Sequence, residues 1–135
     1  MAAAGFKFIV GAAVAASACT SIAVDARSFE GTRWHVTAVN GRATPATGNY
    51  RVEFKDGQLG GQFGCNSFGG PVAVSGEVMT AGQIVATQMG CPEPSAYFES
   101  AGFTILRQPM RWQWNPGSKL TLTNPAGSIS LERLP

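Results

Sequence analysis

The side chains in this sequence with the most reactive chemistry are three cysteines, one histidine and eight carboxylates. A thiol can act as nucleophile, metal ligand or half of a disulfide, so the cysteines come first. Cys19 ends an apolar N-terminal run, whereas Cys65 and Cys91 lie in the body of the chain. His35 is far from both in sequence, and no CxxC or HxxH spacing exists. Zinc needs three or four such ligands gathered together, so no metal and no other cofactor is expected. The carboxylates are poorly placed for general acid–base work. Glu93 and Glu99 are six apart on or near one helix and do not share a face well; Asp56 is a turn residue, and Glu53 alternates outward from a strand. All read as solvated surface. No serine sits in a nucleophile elbow. The stretch from Gly57 to Gly70 is glycine-rich but lacks the Lys-Ser/Thr of a phosphate loop and precedes no helix. No catalytic residue is expected, and no enzyme activity.

Two groups remain as candidates for binding or for structure. Asn66, Thr87 and Met89 lie beside the two inner cysteines in sequence. Asn66 and Thr87 suit hydrogen bonding to a backbone corner and Met89 suits a core; alternatively the three border a surface that a partner recognises. Trp112 and Trp114 are two apart on a strand and share one face. Their alternation with Arg111, Gln113 and Asn115 favours core or cavity wall over an exposed aromatic strip.

The N-terminus states a destination. Residues 1–18 carry Lys7, then the apolar run from Phe8 to Ala16, then small residues, the layout of a secretory signal peptide. The run is shorter than the roughly 20 apolar residues a membrane span needs. Ala16-Ser17-Ala18-Cys19 resembles the lipobox of bacterial lipoproteins, with Ala16 where Leu is usual. In that reading Cys19 is acylated and becomes the first mature residue. Thr20 is not the Asp associated with inner-membrane retention, so an outer-membrane anchor follows by analogy. The competing site lies after Val24-Asp25-Ala26 and extends the signal peptide to residue 26. Either way the protein is expected to be exported to the periplasm, with the lipid-anchored form favoured and the membrane its partner through that lipid. Cys19 is acylated or removed, which leaves Cys65 and Cys91 as an even pair in a compartment that permits disulfides. The alternative is two separate buried thiols.

The charge balance excludes another class of partner. Ten basic residues face eight acidic ones, and loss of Lys7 with the signal peptide brings the mature chain close to neutral. Nucleic acid binding needs clustered Lys and Arg, and none is present.

The mature chain reads as short strands separated by turns. Arg33 to Val39 and Tyr50 to Phe54 alternate, with Asn40-Gly41 a turn and Arg42 to Asn49 a loop. Lys55-Asp56-Gly57 joins the second strand to Gln58–Phe63 as a hairpin. The glycines at 60 and 61 suggest a bulge or a close backbone approach. Gly64 to Gly70 is a glycine-rich corner. Pro71 to Val74, Glu77 to Met79 and Gln83 to Met89 are further strands. One helix begins near Pro94, where a missing N–H is harmless; Tyr97, Phe98, Ala101, Ile105 and Leu106 form its apolar stripe, and Pro109 ends it. Met110–Trp114, Leu120–Thr123 and Ser128–Glu132 close the chain. The expected fold is mostly β (α+β): an antiparallel sheet or partly closed β-barrel packed against one helix.

Gly64-Cys65-Asn66 after a hairpin, Thr87-x-Met89-x-Cys91 after the next strands, an acidic residue starting a helix, and a closing hairpin together resemble the META domain. This is the domain of HslJ-like secreted and lipid-anchored bacterial envelope proteins. The resemblance covers about residues 28–134, and Trp34 and Leu120-Thr121-Leu122 also fit it. The chain departs by carrying Gly90 where many members have Ala, and Gly102 inside the helix. The resemblance implies an accessory role in envelope integrity or stress resistance, with no established catalytic activity. Two other readings remain open. A small barrel closed by a helix can hold a lipid or other small hydrophobe, here in an apolar cavity lined by Phe63, Phe98, Phe103, Trp112 and Trp114. A periplasmic protein–protein adaptor would use an exposed sheet edge or aromatic patch.

Overall fold

The computed structural model describes residues 29–135 together with Gly11; the expected signal peptide and Cys19 lie outside the described residues. Eight antiparallel strands form a closed barrel. In order round the wall they are β1 (Arg33–Val39), β3 (Tyr50–Lys55), β4 (Gln58–Phe63), β5 (Ser67–Ser75), β6 (Val78–Ala81), β8 (Met110–Asn115), β9 (Lys119–Asn124) and β10 (Gly127–Arg133). Strand β10 returns to β1, from Trp34 opposite Arg133 to Val39 opposite Ile129, and this pairing closes the circuit. Two short strands stand outside it: β2 (Arg42–Ala43) pairs with the end of β1, and β7 (Val85–Ala86) pairs with Phe68 and Gly69 of β5. The shortest join in the wall is β6 to β8, where only Val78 opposite Arg111 and Met79 opposite Met110 are paired.

Alternation puts one side chain in two inside the barrel. Trp34, Val36, Val52, Phe54, Leu59, Phe63, Leu120, Leu122, Ile129 and Leu131 are all buried there. Tyr50 joins them, and burial raises its hydroxyl pKa above the ordinary 10.0. In the β3–β4 hairpin Asp56 and Gly57 both have positive φ, 54° and 70°, which suits a tight turn whose twist matches the strands. Gly61 marks a close approach and not a bulge. The β3–β4 register runs unbroken, and a Cβ on Gly61 would lie 2.0 Å from the Arg51 carbonyl oxygen.

The barrel has two different ends. Helix α1 (Ser95–Leu106) covers the first, burying Phe98, Phe103, Ile105 and Leu106. Gly102 lets it seat: a Cβ there would stand 2.5 Å from the buried Phe63 ring. Helix propensity alone favours Gly102→Ala by about 1 kcal/mol, but overpacking reverses the sign. The variant is expected to lose about 1–3 kcal/mol, measured as a lowered urea midpoint. The second end is closed by Phe29, whose ring stacks on Trp114 at 5.3 Å and packs on Phe54 at 5.1 Å and Trp112 at 5.5 Å.

Three elements differ from the expectation drawn from sequence. The glycine-rich corner stops at Asn66, and residues 67–75 form one nine-residue strand instead of a corner and a short strand. The strand expected over Gln83–Met89 shrinks to Val85–Ala86, because beyond the backbone bond from Thr87 to Ser67 the Asn66 side chain, and not a strand ladder, holds Met89. The Arg42–Asn49 loop begins with the two residues of β2.

Candidate functional site

The chain leaves β4 at Phe63 and turns into β5 through Gly64, Cys65 and Asn66. Asn66 is only 3% exposed, so its amide needs partners inside the protein. Its Oδ1 accepts hydrogen bonds from the Met89 backbone N–H at 2.8 Å and the Thr87 hydroxyl at 2.9 Å. Its Nδ2 donates to the Met89 carbonyl at 3.1 Å and to Glu99 Oε2 at 2.9 Å, with Cys91 Sγ at 3.2 Å. The backbone N–H of Asn66 donates to the other Glu99 oxygen, Oε1, at 2.9 Å. Thr87 completes the set: its Oγ1 accepts from the Ser67 N–H at 3.1 Å, and its own N–H donates to the Ser67 carbonyl at 3.0 Å. Cys65 and Cys91 are joined as a disulfide with their Cα atoms 6.0 Å apart.

These bonds tie three separate pieces of chain together: the corner before β5, the segment 87–91, and helix α1 through Glu99. The expected group of Asn66, Thr87 and Met89 beside the cysteines is therefore assembled, though two roles change. Met89 does not fill the core; its side chain is 61% exposed, and its backbone N–H and carbonyl hold Asn66. Glu99 is not solvated surface. It is half-buried and accepts one hydrogen bond at each carboxylate oxygen from Asn66. Sequence spacing missed it because nothing local connects Asn66 to a helix 33 residues on. The one available signal was that Glu99 follows Ser95 by one turn, on the side of α1 adjoining the stripe. Glu93 does remain exposed, where its carboxylate accepts from the Tyr97 N–H at 3.3 Å.

The arrangement is a clasp. Every hydrogen-bonding position of the Asn66 amide is engaged, and both sulfurs of the pair are bonded to each other. His35 stands elsewhere, on β1, with Arg51 and Glu132 as its strand neighbours.

The tryptophans sit at the other end. Trp112 and Trp114 share the inward face, opposite the buried Leu122 and Leu120. They lie where β8 runs past its pairing with β6, so they remain partly open: Trp112 is half-buried and Trp114 is 38% exposed. Trp112 Nε1 donates to the Gly76 carbonyl at 2.9 Å. Phe63, Phe98 and Phe103 pack near the helix instead, Phe63 on Phe68 at 5.2 Å and Phe98 on Tyr50 at 5.5 Å. The five rings expected to line one cavity thus fall into groups at opposite ends of the barrel.

A family model for the META domain matches residues 27–133. The chain belongs to the META domain family. Two solved structures share the fold. One, an NMR structure, superimposes with a TM-score of 0.70 at 20% identity, covering 79% of this chain and 92% of that one. Another, the NMR structure of a protein from Burkholderia xenovorans, gives a TM-score of 0.67 at 19% identity, covering 81% of this chain and 86% of that one. A comparison with curated proteins finds no match. Within this META domain, Cys65, Asn66, Thr87, Met89 and Cys91, which help carry the resemblance, all belong to the clasp.

Proposed function

We propose that this META domain is a non-enzymatic module of the bacterial envelope, anchored through an acylated Cys19 at the periplasmic face of the outer membrane. Its role there is accessory, in envelope integrity or stress resistance. One observation supports the non-enzymatic part: the motif residues spend their hydrogen bonds and their thiols on one another. A disulfide that joins two segments across the clasp also suits an oxidising compartment.

Cell fractionation and the intact mass of the mature chain test the anchor. Wild-type protein is expected in the membrane fraction with an acyl-sized mass increment, and Cys19→Ala in the soluble fraction. A soluble wild-type protein beginning at Arg27 would refute the anchor. Turnover of model ester, phosphoester or glycoside substrates that survives purification would refute the non-enzymatic reading. A strain lacking the protein should lose viability under detergent or heat relative to its parent, and equal survival would remove the accessory role.

A further inference from the structure

The barrel end opposite α1 is finished differently from a face made for water. Trp114 and Leu134 are each 38% exposed there, and Trp112 is half-buried. Phe29 is the residue at which the chain enters this same end, stacked on Trp114. Nine residues, Thr20 to Ser28, separate it from Cys19. Fully extended, that tether spans at most roughly 35 Å. An acylated Cys19 would thus join the domain at its Phe29 end, the end closest along the chain to the lipid.

We propose that this end is a membrane-docking face, and that its partner is the headgroup region of a phospholipid bilayer. The inference rests on the anchoring at Cys19 proposed above. Tryptophan favours that depth because its ring is apolar while its N–H still finds a polar partner. Trp114 Nε1 has no hydrogen bond among the described residues, whereas Trp112 and Trp34 donate to Gly76 and Thr32. The charges at this end nearly cancel. Arg33, Lys55, Lys119 and Arg133 are exposed beside Glu30, Asp56 and Glu132, and Arg111 pairs with Glu77 at 3.5 Å. Docking is therefore driven by the indoles and the tether, and depends little on anionic lipid.

The full acylated protein, reconstituted into phosphatidylcholine vesicles carrying brominated acyl chains, tests this. Bromine quenches tryptophans at the interface, and Trp34, fully buried with its ring 5.3 Å from that of Trp114, is shielded from direct contact with lipid. Expected are quenched emission in wild type, loss of most of that quenching in Trp114→Phe, and little change when anionic lipid is added. Vesicle-bound acylated protein with unquenched emission would overturn the docking face, as would equal quenching in the variant. A mature chain without an acyl increment would overturn the anchor and this face with it. Should Trp114→Phe fold poorly, hydrogen exchange on the wild type decides. Slowed exchange over residues 115–119 and 133–135 on vesicles supports the face, and slowed exchange over α1 instead refutes it.

Discussion

Asn66→Ala is expected to lower the unfolding free energy by about 2–4 kcal/mol, the sum of several modest losses at a buried site. The alanine leaves the Met89 N–H and the Thr87 hydroxyl without their acceptor and removes one donor from Glu99. The backbone bond from residue 66 to Glu99 survives, which keeps the loss below that of a bare buried charge. Segment 87–91 loosens first, so its amides should exchange far faster while the barrel wall stays protected. Asn66→Asp separates geometry from chemistry. It keeps the acceptor but sets a second carboxylate where Nδ2 now lies 2.9 Å from Glu99 Oε2. Two carboxylates so close hold a shared proton when folded and release it when unfolded. The folded state then binds more protons, so this variant regains stability as pH falls through the acid range, while Asn66→Ala does not. Urea midpoints of both variants between pH 7 and pH 4 measure the difference. Parallel curves would show that the carboxylate at position 66 does not share a proton with Glu99, against the 2.9 Å contact on which the clasp rests.

How far the sequence reveals this architecture depends on how local each signal is. Strands β1, β3 and β4, and the Asp56-Gly57 turn, follow from alternation and turn chemistry within a few residues of each other. Helix α1 follows from Pro94 and the stripe that includes Phe98 and Ile105. Barrel closure is different in kind. Val36 pairs with Leu131 across nearly the whole domain, and alternation says which face is buried without saying which strand is the neighbour. An open sheet and a partly closed barrel are accordingly equals at the level of sequence. The clasp divides the same way. Its cysteines, Asn66 and Thr87 are recognisable by type, while Glu99 is defined only by where α1 lands. Met89 misleads because an apolar side chain ordinarily reports on burial, and here the backbone of the residue is the part in use. Gly102 misleads similarly: it weakens a helix in isolation, yet the Phe63 ring requires it.

Removing the Cys65–Cys91 bond by replacing both residues with Ser is expected to cost about 3–4 kcal/mol, from the loop-closure entropy of its 26-residue separation. This acts mainly on the unfolded chain, so the clasp around Asn66 persists and the folded barrel keeps its far-ultraviolet circular dichroism. Wild-type protein treated with dithiothreitol and the double-serine variant should share one urea midpoint, well below that of the oxidised protein. An unchanged midpoint on reduction would dismiss the claim. Domains of this size have total stabilities of roughly 5–15 kcal/mol, so the bond is a large fraction of the whole. A chain retained in a reducing compartment would sit much closer to unfolding than an exported one. The disulfide and the Asn66 amide are also coupled. Both hold the same segment 87–91, with Cys91 Sγ 3.2 Å from Asn66 Nδ2. Once both are removed that segment detaches from the barrel, and no further loss accrues from contacts already broken. The triple variant should therefore fall short of the summed losses, and full additivity would mean that the clasp and the disulfide stabilise separate parts of the domain.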